Sequence, residues 1–104
     1  MASRGHSFQI TIAPLINESG EHPGSTTPLT FIHSSHDDII ALVEKVRKST
    51  GLDPDAGAAT AVGLKLLSEI MLREKDNALF DPLRSGIREF IQNLKALARN
   101  KALS

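Results

Sequence analysis

The chain has 104 residues, 40% of them hydrophobic, and its 12 basic and 12 acidic side chains cancel to a formal net charge of zero. That length suits one domain and falls short of two ordinary ones. The lack of cysteine excludes disulfides, thiol catalysis and thiolate zinc sites, and the zero balance lacks the positive excess of a nonspecific nucleic-acid binder.

The charge is uneven along the chain. Residues 1–80 carry 7 basic and 10 acidic residues, a net −3, and residues 81–104 carry 5 and 2, a net +3. Residues 1–7 are followed by no continuous apolar run, so no signal peptide is expected. The apolar stretch of residues 56–72 is interrupted by Lys65 and Glu69 and is too short for a membrane span. The cytoplasm is the expected compartment, with no membrane partner.

Residues 7–16 read as a strand, with Phe8, Ile10 and Ile12 on one face and Ser7, Gln9 and Thr11 on the other. Pro14 lacks a donor and ends regular pairing. Residues 17–27 form a polar loop with two glycines and a proline. Residues 28–33 return as a second strand, and a hairpin is the simplest pairing because a parallel strand needs a longer crossover. Leu29 and Phe31 then join the apolar face of the first strand and can pack against helices. Thr30 and Ile32 point the other way.

A first helix is predicted to begin after Ser35, where Ser35-His36-Asp37-Asp38 resembles a capping box with aspartate in place of glutamate. Ile39, Leu42, Val43 and Val46 make its buried stripe, Glu44, Lys45, Arg47 and Lys48 face water, and Gly51 closes it. Asp53-Pro54 starts the second helix, since aspartate caps and proline fits the first turn. This central helix, about 54–75, has two apolar faces. Ala56, Gly57, Ala58, Ala59 and Gly63 allow close backbone approach, although each interior glycine costs about 1 kcal/mol of helix propensity. Asp81-Pro82 repeats the starting device. Leu83, Ile87, Phe90, Ile91, Leu94 and Leu97 then recur at helical spacing to about residue 99, beyond which the C-terminus should fray.

The predicted fold is therefore α+β, an N-terminal antiparallel β-hairpin followed by three helices (β-β-α-α-α). It forms a single domain over 1–104 with an ordered core of about 7–99. Two strands leave two open edges, which invite a symmetric dimer through the sheet or the second helix.

The chemistry-bearing residues do not converge on a motif. His33, His36 and Asp37 flank the strand-to-helix turn and are the weak candidates for a metal site, but their spacing matches no ligand pattern and helix capping explains the carboxylates. Glu69 lies four residues after Lys65, the spacing of an ordinary helical ion pair. No glycine loop for phosphate and no local nucleophilic triad is present. Catalytic residues, a resident metal and cofactors are accordingly not assigned. The order strand–helix–helix is also that of a ribbon-helix-helix dimer, in which Arg47 and Lys48, or the face Arg84, Arg88, Lys95 and Arg99, would meet phosphate. Thr30 and Ile32 on the strand lack the long polar side chains that read bases, which argues against nucleic acid.

His36-Asp37-Asp38-Ile39-Ile40, the segment from Gly63 to Leu72 (GLKLLSEIML), and Phe80-Asp81-Pro82-Leu83 with Arg88-Glu89-Phe90-Ile91 together resemble a small bacterial family of about 100 residues classed as a domain of unknown function. The resemblance spans nearly the whole chain. It implies a stand-alone domain and supplies no activity, substrate or cofactor. The expected function is that of a small non-catalytic cytoplasmic protein-interaction domain whose partner is a second copy or another protein. The alternatives are a ribbon-helix-helix-like DNA-binding regulator, and a small enzyme or metal-binding protein using His33, His36 and nearby carboxylates.

Overall fold

Alternating apolar and polar residues fold the first part of the chain into a hairpin. β1 (His6–Ile12) and β2 (Leu29–Ser35) pair antiparallel in a two-stranded sheet. A computed structural model provides these coordinates and describes residues 5–15 and 27–103. The polar loop read at 17–27 thus lies outside the described residues apart from Thr27. The register sets Phe8 opposite His33, Ile10 opposite Phe31 and Ile12 opposite Leu29. These six side chains share one face because alternate residues of a strand point the same way. On the other face Gln9 opposes Ile32, and the Thr11 and Thr30 hydroxyls hydrogen-bond at 3.1 Å.

The chain divides into two compact units, residues 1–36 and residues 37–104. The second is helical. α1 spans Ile39–Thr50, α2 Pro54–Arg73 and α3 Asp81–Leu103, with a 3₁₀ turn at Ala78–Phe80 before α3. The order is the expected one, with boundary corrections that have local causes. α1 does not begin after Ser35, because β2 continues to Ser35 in pairing with His6. The cap is Asp38, whose Oδ1 accepts hydrogen bonds from the backbone N–H of Ile40 at 3.1 Å and Ala41 at 3.3 Å. A carboxylate there satisfies two otherwise orphaned donors and meets the positive end of the helix dipole. At the other end Gly51 has φ 73°, the left-handed conformation that a Cβ disfavours.

Asp53 caps α2 by accepting from the Ala56 N–H at 2.8 Å, and Pro54 occupies the first turn. The helix stops at Arg73, two residues short of the expected end. α3 is entered differently from the reading of Asp81-Pro82 as a second cap-and-proline start. Asn77 caps the 3₁₀ turn instead, its Oδ1 accepting from Leu79 N–H at 3.0 Å, and Asp81 already belongs to the first turn of α3. The helix persists to Leu103, past the point at which fraying was expected.

α1 packs against both α2 and α3, which touch each other far less. The α1–α2 approach is close at Gly57, where a Cβ would stand 3.0 Å from Arg47 Cγ. Gly63, read from sequence as a second close-approach position, has nothing within 4 Å of where its Cβ would be. The buried apolar side chains among the described residues are Ile39, Val46, Ala61 and Met71. Leu66 and Leu42 are only half-buried. No large side chain among the described residues is fully enclosed. No helix of the described residues is long and apolar enough to cross a membrane.

Candidate binding cleft and exposed apolar faces

The three helices line an open cleft of about 470 Å³, within the ordinary range for small-molecule sites. Its apolar lining comes from Leu42 of α1, Leu64 of α2, and Ile91 and Leu94 of α3. The amphipathic periodicity that buries one stripe of each helix also sets polar neighbours at the stripe's border. Lys45, Lys65 and Lys95 therefore reach the cleft from three different helices, with Ser68, Asp37 and Asp38.

These charges are not equivalent. The Lys65 ammonium donates to Asp37 Oδ2 and lies 3.6 Å from Glu69 Oε2. Glu69, read from its spacing as an ordinary helical pair with Lys65, is buried, so its pairing with Lys65 matters more than an exposed pair would. Asp38 is occupied by the α1 cap. The Ser68 hydroxyl donates to the Lys65 carbonyl oxygen at 3.2 Å. Lys45 and Lys95 are exposed, and neither ammonium group has a hydrogen bond or ion pair among the described residues.

The residues singled out from sequence are dispersed. His33 is buried in β2 opposite Phe8, His36 is exposed, His6 stacks near Phe8 with ring centroids 6.1 Å apart, and His22 lies outside the described residues. Among the described residues no group of three or more histidines and carboxylates could hold a metal ion. Asp37 instead pairs with Lys65. Of the candidate phosphate contacts, Arg47 is engaged inside the fold. Its Nε donates to the Pro54 carbonyl at 2.9 Å and an Nη donates to Glu44 at 3.1 Å, which ties α1 to the start of α2. Arg84 is more fully occupied. It donates to the carbonyls of Met71 at 3.2 Å, Glu74 at 3.0 Å and Asn77 at 3.0 Å, and to Asp81 Oδ1 at 3.1 Å. One guanidinium thus satisfies the Met71 carbonyl near the end of α2 and adds a second donor to the carbonyls of Glu74 and Asn77, which already accept from the N–H groups of Asn77 and Phe80. Lys48, Arg88 and Arg99 are exposed. The cleft itself was missed from sequence. Its only signal is an apolar residue with a lysine or serine beside it or a turn away on each helix, and nothing local says that those three borders converge.

Two apolar surfaces stand out. Neither strand of the hairpin contains aspartate, glutamate, lysine or arginine. On its apolar face Ile12 and Leu29 are 58% and 57% exposed, and Ile32 on the opposite face is 67% exposed. Along α3, Leu83, Phe90 and Leu97 recur every seven residues and each stays a little over two-fifths exposed.

Comparison with known proteins agrees with the fold. A protein of unknown function from Pectobacterium atrosepticum, with a crystal structure at 2.20 Å resolution, is 33% identical to this chain and superposes with a TM-score of 0.74. The match covers 88% of this chain and 98% of that one. No curated protein matches the chain. The model of the family DUF3861, described as a domain of unknown function with a solved structure, matches residues 6–96, and the chain belongs to that family.

Proposed function

We propose that this chain is a non-catalytic protein-interaction domain of the cytoplasm that self-associates through its β-hairpin. The observation that carries the reading is the absence of formal charge from both strands of the hairpin. The edges of a two-stranded sheet are ordinarily protected by charges, bulges or covering elements. Here both strands lack formal charge, so strand-to-strand docking of a second copy meets no charge repulsion from them. Docking through the apolar face removes Ile12 and Leu29 from water, where burial contributes about 25 cal/mol per Å². A two-fold arrangement uses the same patch twice, which suits a self-complementary neutral surface.

The test is the solution mass of wild type beside the double variant Ile12→Lys, Leu29→Lys. Both side chains are largely exposed, so the variant should keep its far-UV circular dichroism. A wild-type dimer and a folded monomeric variant support the reading. A variant that dimerises as wild type does removes the hairpin as the interface.

A further inference from the structure

We propose that the cleft among α1, α2 and α3 binds a small amphipathic carboxylate, its apolar body lying on Leu42, Leu64, Ile91 and Leu94 and its carboxylate meeting Lys45 and Lys95. This goes beyond the self-association reading and stands whether or not the chain dimerises. Two features of the cleft select the ligand.

The first is charge. Of the three lysines, Lys65 is already paired with two carboxylates, Asp37 and Glu69, and has no charge to offer a ligand. Asp38 is turned to its own helix, where its carboxylate holds two backbone N–H groups. What remains for a ligand is the pair of ammonium groups on α1 and α3, with no partner of their own among the described residues. An anion fits this pair, and a cation or a neutral body does not gain from it. The donor set favours a carboxylate over a phosphate. The lining includes no arginine fork, and the helix terminus that could cradle phosphate is closed by Asp38.

The second is the apolar lining. A bare acetate would leave those four side chains wetted, and a hydrocarbon tail covers them. Sites of this kind bind through a mostly apolar wall with a few polar groups that fix orientation. The lysine stems add apolar surface at the rim while their ammonium groups stay in water. Because the charges sit at an exposed rim, salt should weaken binding.

Octanoate serves as the probe, with acetate, octylamine and octanol as controls, read by amide chemical shifts in the intact chain. Octanoate should give saturable shifts at residues 41–45, 64–68 and 91–95, stronger than any control. The variant Lys45→Glu, Lys95→Glu should bind it at least roughly tenfold more weakly, as expected for loss of a charge-assisted contact. Its thermal melt and amide spectrum establish that it remains folded. Three results each overturn the proposal: no saturable shift with octanoate at millimolar concentration, octanol binding as well as octanoate, or the variant keeping wild-type affinity. If the double variant does not fold, Lys95→Gln alone is used, and undiminished octanoate affinity in it overturns the proposal equally.

Discussion

Single residues hold the ends of the elements in this protein, and their effects separate cleanly. Arg84 closes the end of α2 by donating to three carbonyls and one carboxylate. Arg84→Ala should lower unfolding free energy by about 2 kcal/mol, with Arg84→Lys recovering only part, since an ammonium cannot reproduce the planar fork. Chemical denaturation measures both. The two glycines of α2 give a sharper contrast. Alanine at either position removes the helix penalty of glycine, worth about 0.5–1 kcal/mol. Gly63→Ala meets open space and should show that gain. Gly57→Ala places a methyl 3.0 Å from Arg47 Cγ and should show none. The sequence could not tell these glycines apart, because both sit in the same run of small residues and only the approach of α1 distinguishes them.

Among the elements, the hairpin and the helices were legible because their signals are local. Period-two alternation marked β1 and β2, Asp53-Pro54 marked the start of α2, and the glycine at 51 marked the end of α1. Errors arose where two local signals competed. Ser35 and Asp38 can both cap a helix, and the choice fell to Asp38 because the strand ladder extends through Ser35 to its pairing with His6. Asp38→Ala should therefore cost about 1 kcal/mol of stability and loosen the first turn of α1, which amide hydrogen exchange at Ile40 and Ala41 will read directly. Asn77 likewise displaced Asp81 as the cap of the segment entering α3. The cleft was illegible for a different reason. Its residues are separated by up to more than half the chain, and the packing of α1 on both other helices, not any motif, brings them together.

At the scale of the molecule, the few buried apolar side chains among the described residues and the uncharged, partly exposed strands point the same way. Few large side chains are buried among the described residues, while Ile12, Leu29 and the α3 series Leu83, Phe90 and Leu97 remain available to a partner. A fold that leaves such surface exposed gains from association. The central claim is that a second copy covers the hairpin. Its most direct test is multi-angle light scattering of the wild-type chain across micromolar concentrations, alongside the Ile12→Lys, Leu29→Lys variant. The account predicts twice the 11.2 kDa chain mass for wild type and the single mass for the folded variant. A wild-type mass of one chain throughout, or a variant that stays dimeric, contradicts it.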